Sequence, residues 1–301
     1  MNEALPVLPA APGLQRAALE LLFSSLSPDE KAAQMSLTLS ALRGGRLSLE
    51  GLLVALRGEA VAGAVWASEL GGAAALLWPP QTVANAPGGT DKTLLSAAEA
   101  WMERRGVCFA SAYLADDRSP EGERLIAAGY AAISKLLYVV SEAVDFPDAP
   151  PAPHLSFSPI EQFDGPRLAR LVEATYVDTL DCRQLQAARS TRDVLEGYRD
   201  CGVFSPERWL IAVQQAEDVG CVLLTDHPQD DQWELIYMGV APAFRGRGLG
   251  LDIARHAQWL TGQAGRSRLV LGVDADNGPA IRMYSAAGFR TWDERHVLGK
   301  A

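Results

Sequence analysis

Cysteine and histidine are scarce in this sequence, and their spacing excludes the common sites that are built from them. The 301 residues include four cysteines and four histidines. None of these residues forms a CxxC, HxxxH or HExxH pattern or falls at another metal-ligand spacing, and no GxSxG occurs. The sequence therefore predicts no metal site and no serine-hydrolase nucleophile. The scattered thiols are expected to be reduced and structural.

Long apolar runs and an excess of basic residues are also missing. No segment has the length and hydropathy of a membrane span, and residues 1–15 lack the basic start and apolar core of a signal peptide. We therefore expect a cytoplasmic protein. A net charge of −10 makes nucleic acid an unfavourable partner and suits a cationic or neutral one. The sequence leaves the oligomeric state open.

The composition and one proline-rich segment predict two packed domains. Apolar residues make up 48% of the chain and charged residues 21%, which is typical of globular proteins. Prolines crowd residues 145–159, and proline fixes φ and donates no hydrogen bond. We expect this segment to be extended and outside any sheet. The predicted organisation is a first domain at 1–146, a linker at 147–158 and a second domain at 159–301.

The second half predicts alternating helices and strands. The helix at 248–264 has Leu249, Ile253, Ala257 and Leu260 on one face, and it separates two apolar segments that we expect to be parallel strands. The predicted helices are 166–179, 189–200, 248–264 and 279–288. The predicted strands are 208–214, 220–226, 233–240 and 268–275, followed by a last pair at 289–294 and 295–300.

The first half repeats this order more weakly. Its predicted helices and strands follow the same succession, and the similarity is greatest between "ADDRSPEGERLIAAGY" (115–130) and "ADNGPAIRMYSAAGF" (275–289). Both stretches have an acidic turn, a short helix and an Ala-Ala-Gly-aromatic end. We interpret this as an internal repeat of two related domains.

The stretch "RGRGLG" (245–250) places three glycines and two arginines between a predicted strand and a predicted helix. A helix N-terminus has unpaired N–H groups and a partial positive charge, and glycines let a ligand approach the backbone. This combination favours a diphosphate site over a simple tight turn. A Rossmann turn is excluded because Leu251 occupies the place of its third glycine, and a Walker A loop would need a lysine.

The wider pattern resembles the acetyl-CoA motif of the GNAT acetyltransferase superfamily. "GVAPAFRGRGLG" (239–250) matches the Arg/Gln-x-x-Gly-x-Gly/Ala motif, and 274–289 resembles the second conserved block of the family. The resemblance covers about 156–301, whereas the first half resembles the family in element order alone. It implies an α/β (α+β) fold of two tandem GNAT-like domains. Each domain is expected to have a mixed, mostly antiparallel sheet with a splayed parallel strand pair.

The resemblance also implies where acetyl-CoA binds, without any metal. The pantetheine arm is expected at the strand edge of Met238 and Val240, with Gly239 leaving room for a bulge, and a backbone N–H there polarises the thioester. Asn277 is expected to contact the coenzyme, although N-capping also explains it. The phosphates are expected on the amides of Arg245, Gly246, Arg247, Gly248, Leu249 and Gly250.

Two residues are candidates for the acid and the base. Tyr284 has the family position of the general acid that protonates the leaving thiolate, with helix packing as the alternative. Glu234 lies where some members hold the base that deprotonates the amine; a surface glutamate is the alternative.

The acceptor is expected beside the first helices of the second domain. Tyr176, Asp178, Asp181 and Cys182 are candidates for holding a cationic amine, against helix capping and a buried thiol as the alternatives.

The first half departs from the family pattern. Leu125 stands where Tyr284 stands in the second half, and 76–95 contains no arginine. We expect a degenerate domain that packs on the second one or shapes the acceptor cleft. The predicted activity is direct acetyl transfer from acetyl-CoA to an amine of a small molecule, peptide or protein. A non-catalytic acetyl-CoA-binding regulatory module and a tandem-GNAT aminoacyl transferase remain alternatives.

Overall fold

A computed structural model describes residues 5–45, 47–160, 165–181 and 190–301. Contacts within the chain define two compact units. The N-terminal unit comprises residues 1–132 and 297–301, and the C-terminal unit comprises residues 133–296. The units thus divide at 132/133, while the predicted domain limits at 146 and 158 remain predictions. Among the described residues, no helix is long and apolar enough to cross a bilayer.

The N-terminal unit alternates helices with an ordered sheet. Its elements are β1 (Val7–Pro9), α1 (Pro12–Leu22), α2 (Pro28–Arg43), β2 (Leu52–Arg57), β3 (Ala60–Leu70), β4 (Ala74–Thr82), α3 (Thr90–Arg104), β5 (Phe109–Leu114) and α4 (Pro120–Ala127). The strands follow the order β1-β2-β3-β4-β5, and all pairs are antiparallel except β4–β5. The parallel pair holds register only from Ala74↔Phe109 to Leu76↔Ser111.

The C-terminal unit has the same succession after an initial strand. Its elements are β6 (Ala131–Glu142), β7 (Ser156–Pro159), α5 (Gly165–Tyr176), α6 (Thr191–Arg199), β8 (Trp209–Gln214), β9 (Glu217–His227), β10 (Gln232–Val240), α7 (Leu249–Gln263), β11 (Arg268–Asp274), α8 (Gly278–Ala286) and β12 (Arg290–Lys300). The first two residues of β6 and the end of β12 belong to the N-terminal unit. The strand order is β12-β6-β11-β10-β9-β8-β7, with β10 and β11 parallel as predicted. The mixed, mostly antiparallel α/β fold is confirmed.

Two local predictions were wrong. Residues 156–159 are not outside the sheet: they form the edge strand β7 on β8, because an edge strand tolerates a proline that a central strand would not. The predicted last strand pair is one continuous strand, β12. No glycine, proline or Asn-Gly step interrupts 290–298, so no turn forms there.

The helical face predicted for α7 packs on the sheet. Leu249, Ile253 and Ala257 are buried in the core of the C-terminal unit, and Leu260 is partly buried against it. The core on this face includes Trp233, Leu235, Leu269 and Leu271 from β10 and β11. A second core on the opposite face joins α5 and α6 to β8 and β9. The sheet therefore separates two faces, and α7 with α8 covers one of them.

Candidate acetyl-transfer site

Strands β10 and β11 separate after three paired positions. Their register runs from Gln232↔Arg268 to Glu234↔Val270 and then stops, whereas β10 stays paired with β9 as far as Val240. The edge of β10 that faces β11 therefore has no strand partner beyond Glu234. Met238, Gly239 and Val240 lie along this open edge, as the sequence predicted. We call the gap between the two strands the wedge.

The bulge in β10 lies at Ile236, not at Gly239 as predicted. The register with β9 shifts between Leu235 and Tyr237, while Gly239 pairs regularly with Cys221. Gly239 has another reason to be glycine: a Cβ there would lie 2.7 Å from both Cβ and Oγ1 of Thr175. The glycine thus allows α5 to approach the strand closely.

This close approach fixes the hydroxyl of Tyr237. Thr175 donates its hydroxyl proton to the Val172 carbonyl at 2.7 Å, and the Tyr237 hydroxyl lies 2.6 Å from Thr175 Oγ1. Because the Thr175 proton is already used, Tyr237 must donate to Thr175. Its hydroxyl oxygen then offers only lone pairs to any further partner. Burial raises the pKa of Tyr237 well above its usual range, so the phenol stays protonated.

The turn before α7 exposes a run of backbone donors. After a 3-10 turn at Pro242–Phe244, Gly246 and Gly248 adopt φ of 73° and 83°, which few residues other than glycine adopt readily. The N–H groups of residues 246–250 have no acceptor among the residues that the structure describes. A Cβ on either positive-φ glycine would meet no atom within 4 Å, so the turn is open. Five consecutive free donors at a helix N-terminus suit an anion.

The two arginines of the turn use their side chains within the protein. The Arg245 guanidinium donates to the carbonyls of Thr175 at 2.7 Å, Val177 at 2.8 Å and Val240 at 3.0 Å. It therefore caps the C-terminal end of α5 and ties it to β10. Arg247 donates to the Ala243 carbonyl at 2.8 Å and stacks over Phe244. The positive charges lie near the turn, but the donors of Arg245 are engaged with α5.

Tyr284 is buried on α8, with its ring edge-on to Phe289 at 5.4 Å. Burial, and to a lesser degree the charge of Asp181, raises its pKa above the usual range. The phenol therefore holds its proton at neutral pH, as a general acid must. Asn277 caps α8 and accepts from the Ala280 amide at 3.2 Å, so the capping alternative holds, whereas its contact with the coenzyme remains a prediction.

Glu234 occupies the vertex of the wedge, the last position at which β10 and β11 pair. Its carboxylate lies 2.9 Å from Nε2 of His227, and this hydrogen bond raises the pKa of the histidine. Glu234 therefore has a specific partner rather than only solvent. Its role as the base remains a prediction.

The predicted acceptor residues meet two tyrosines that the sequence analysis missed. Tyr176 lies edge-on to Tyr237, and Tyr198 stacks on the same ring, both at 5.9 Å. Asp181 accepts a hydrogen bond from the Asp274 amide at 3.2 Å, which places the loop after α5 at the end of β11. Alternation along β10 could have indicated Tyr237, but no motif marks Tyr198.

Asp181 is the charged centre of this cluster. Its charge contributes to the raised pKa values of Tyr198, Tyr237 and Tyr284. Although Asp181 is exposed, desolvation by its neighbours raises the pKa of its own carboxyl. Asp178 is exposed, with φ of 53°. Cys182 lies outside the described residues. Among those described, no group of three or more acidic, histidine or cysteine side chains forms a metal site.

The internal repeat is visible at the end of the short helices. The amide of Tyr130 donates to the Leu125 carbonyl, and that of Phe289 donates to the Tyr284 carbonyl, both at 3.0 Å. Gly129 and Gly288 have φ of 91° and 90°. Leu125 thus stands in the structural place of Tyr284, and it is fully buried.

Comparison with known proteins gives a family match and partial relatives. Residues 173–289 match the model of the acetyltransferase (GNAT) family. Mycothiol acetyltransferase of Streptomyces bingchenggensis is 37% identical over 92 residues, covering 30% of this chain and 29% of that protein. The enzyme of the same name from Paenarthrobacter aurescens is 35% identical over 118 residues, covering 36% of this chain and 35% of that protein. The chain thus matches about a third of the length of these relatives.

Solved structures share the fold across nearly the whole chain. A GCN5-related N-acetyltransferase from Sphaerobacter thermophilus has a TM-score of 0.63 at 18% identity, covering 99% of this chain and 94% of that one. A tandem GNAT protein from the clavulanic acid biosynthesis pathway has a TM-score of 0.52 at 17% identity, covering 98% of each chain. At these identities the likeness establishes the fold.

Proposed function

Because this chain is a member of the GNAT superfamily of acetyltransferases, we propose that its C-terminal unit binds acetyl-CoA and transfers the acetyl group directly to an amine. The observation that carries the proposal is the run of free amides at residues 246–250, at the end of the unpaired edge of β10. A diphosphate would be held by these amides. The pantetheine arm would pair with the edge at Met238 and Val240, as a strand does.

The chemistry requires one bond to form and one to break. The amine nitrogen attacks the acetyl carbonyl carbon, the C–N bond forms, and the C–S bond breaks to release coenzyme A. Tyr284 supplies a proton to the leaving sulfur, since its buried phenol is protonated at neutral pH. Glu234, at the vertex of the wedge, takes the proton that the ammonium loses before its nitrogen attacks, directly or through water. The second proton, which the nitrogen loses as the amide forms, returns through solvent to the Tyr284 phenolate.

The aromatic and acidic cluster beside the wedge suits a cationic acceptor. Tyr176, Tyr198 and Tyr237 present ring faces or edges, and Asp181 adds a carboxylate. Such a combination attracts an ammonium group by charge and by ring electrostatics. The curated relatives are named for mycothiol, and their acceptors therefore belong in any substrate panel.

The test combines coenzyme binding with turnover. Titration calorimetry with acetyl-CoA should give one site per full-length chain, and an amine panel should release free thiol with at least one acceptor. Tight binding of acetyl-CoA without thiol release on any amine would favour a regulatory module instead. Absence of acetyl-CoA binding would end the proposal.

A further inference from the structure

One face of the C-terminal sheet is exposed where β6, β11 and β12 lie side by side, since Gly272 and Trp292 are both exposed there. Leu137 and Val139 of β6 pack with Leu271 and Val273 of β11 under α7 and α8. Side chains alternate along a strand, so Tyr138 and its partner Gly272 lie on the opposite face. Glu234 pairs with Val270, which shares this face with Gly272. We call the exposed area of Gly272, Tyr138 and Trp292 the platform.

Gly272 is a bare position that the protein itself does not require. A Cβ there would make only ordinary contacts of 3.9 Å with Leu136 and Tyr138, and its φ is not positive. This contrasts with Gly239, where a Cβ would collide with Thr175. A glycine inside a strand otherwise weakens it, and such a glycine often marks close approach of a ligand.

The N-terminal copy fills the equivalent position. Strand β5 begins its pairing at Phe109 and β11 at Arg268, so the counterpart of Gly272 is Tyr113. The side chain of Tyr113 is 42% exposed. The fold thus accepts a large residue on this strand, and the bare backbone is particular to the unit that has the open turn before α7.

Two aromatic rings stand beside the bare strand. Trp292 is 62% exposed, and its ring centre lies 6.1 Å from that of Tyr138 at an interplanar angle of 55°. A single exposed tryptophan would need no explanation, but here it stands beside a second ring and a bare glycine strand, and together they form a contiguous apolar surface. Paired rings of this kind offer faces on which a flat aromatic ring or a sugar ring packs.

The platform is continuous with the wedge and has a negative border. Gly272 lies two residues beyond the last β10–β11 pair, so it flanks the opening of the wedge. Asp181 bonds to the amide of Asp274, two residues further along β11 on the same face, and Glu234 lies at the vertex. Tyr138 is one strand away, at about 5 Å. Strand β6 lies two strand spacings, about 10 Å, from β10. An acceptor that packs on the platform beside Gly272 would therefore extend its amine across β11 towards the wedge.

Resting on the proposed function, we propose that the acceptor is a primary amine carrying an aromatic or sugar ring, which packs on Tyr138 and Trp292 above the bare backbone of Gly272. The carboxylates at the border hold the ammonium end. Trp292 and Gly272 therefore determine acceptor specificity without contacting acetyl-CoA.

The experiment compares three amines on the full-length enzyme. Tyramine presents an aromatic ring, glucosamine a sugar ring, and n-hexylamine a linear chain of similar size. The wild type should acetylate at least one ring amine with a kcat/KM at least tenfold above that for n-hexylamine. Trp292→Ala should raise the KM for that ring amine about tenfold. Gly272→Tyr, which copies the N-terminal unit, should abolish the preference. The KM for acetyl-CoA should stay within twofold in both variants.

The control is Tyr113→Ala, which changes the same strand position in the other copy and should leave all constants unchanged. Circular dichroism melting checks that each variant is folded. Equal use of n-hexylamine and the ring amines by the wild type would overturn the inference, as would unchanged ring-amine KM in both platform variants. In either case acetyl transfer itself would stand. Absence of acetyl-CoA turnover on the whole panel would instead mark failure of the proposed function, and the inference would fail with it.

Discussion

The turn before α3 in the N-terminal unit and the turn before α7 in the C-terminal unit have the same backbone conformation at their glycine caps. They differ in the backbone N–H groups that are free to bind a ligand. Gly89 and Gly248 cap the two helices with nearly the same left-handed conformation, φ 87° and ψ −2° against φ 83° and ψ −8°. The same separation along the chain relates Gly89 to Gly248, Leu125 to Tyr284 and Gly129 to Gly288. The copies therefore align residue by residue through this region.

Each sequence difference at this turn makes anion binding less favourable in the N-terminal unit. Pro87 replaces Gly246 and removes one N–H, and the amide of Thr90 is bonded to the Pro87 carbonyl at 3.2 Å. Asp91 replaces Gly250 and adds a carboxylate to the first helical turn. The comparison teaches that both units keep a glycine-capped helix start as part of the fold. Anion binding needs more: backbone N–H groups without acceptors, and no carboxylate in the first helical turn.

The surroundings of the turn also leave less room for an anion in the N-terminal unit than in the C-terminal unit. Asp91 pairs with Arg124 at 3.6 Å, whereas a Cβ on Gly250 would lie 3.8 Å from Met283, the counterpart of Arg124. Gln81 of β4 bonds to Glu121 of α4 at 2.9 Å. Polar side chains thus join β4, α3 and α4 in the N-terminal unit. We expect these links to occupy the space that corresponds to the path proposed for the coenzyme in the C-terminal unit.

The largest effect is expected from Gly250→Asp, which gives the C-terminal turn the carboxylate of the N-terminal one. Repulsion between this carboxylate and a diphosphate should weaken acetyl-CoA binding at least 100-fold, about 2.7 kcal/mol. Calorimetric titration measures the loss. Gln263→Asp adds the same charge at the other end of α7 and should keep the affinity within twofold. Equal affinity of Gly250→Asp and wild type would refute the proposed diphosphate site at residues 246–250.

The next effect is expected from Tyr284→Phe, measured against Tyr130→Phe. The first change removes the phenol that we propose protonates the leaving sulfur, and kcat should fall about 100-fold with the KM for acetyl-CoA unchanged. The second removes a buried phenol of the N-terminal unit that has no hydrogen-bond partner among the described residues, and kcat should not change. Steady-state thiol release gives both constants. A kcat for Tyr284→Phe within twofold of wild type would assign the ring to packing alone.

A smaller effect, on stability, is expected from Arg245→Ala. The counterpart of Arg245 is Ala86, so this change copies the N-terminal unit and leaves the carbonyls of Thr175 and Val177 without their donor. The free energy of unfolding should fall by about 2 kcal/mol in urea titrations. Arg247→Ala, which removes one exposed contact, should cost under about 0.5 kcal/mol. Similar losses in the two variants would contradict the capping role.

The last effect is absent at neutral pH and depends on His256, whose counterpart is Ala97. Burial lowers the pKa of His256 to about 4, below the value of about 6.5 in an unfolded chain. As pH falls from 6.5 towards 4, the histidine takes up a proton in the unfolded state but stays neutral in the folded state. The free energy of unfolding therefore decreases over this pH range and does not change above it. At pH 5 the loss should be about 2 kcal/mol.

Substitution isolates this contribution. His256→Phe should keep the stacking on Phe157. Between pH 7.5 and 5, its free energy of unfolding should fall by about 2 kcal/mol less than that of the wild type. The exposed His154, which pairs with Asp252, serves as the control when changed to Gln. Parallel stability curves for wild type and His256→Phe would contradict the pKa assignment.

Most elements could be predicted because their signals are local. The face of Leu249, Ile253 and Ala257 follows from helical spacing, and the glycine-rich turn follows from residue types that permit positive φ. The parallel pair follows from one intervening helix. By contrast, the prediction of a break in β12 rested on no turn residue, and the continuous strand shows why such residues matter.

The parts that could not be predicted depend on contacts between distant segments. The bulge at Ile236, the direction of the Arg245 side chain and the approach of Tyr198 to Tyr237 each require a partner far along the chain. Gly239 and Gly272 show the limit most clearly. Both are single glycines in a strand, yet one is fixed by Thr175 and the other faces open space.

The sequence by itself determined the order of the elements, the repeat of two related copies and the turn with free amides, because these depend on backbone freedom and on periodicity. Only the tertiary structure decided which side chains surround the wedge. Side chains meet there from α5, α6, β10 and β11, and their distances depend on how these elements pack. Packing also decided what surrounds this turn in each copy: Asp91 of the N-terminal unit pairs with Arg124, whereas the backbone at Gly250 of the C-terminal unit stays open.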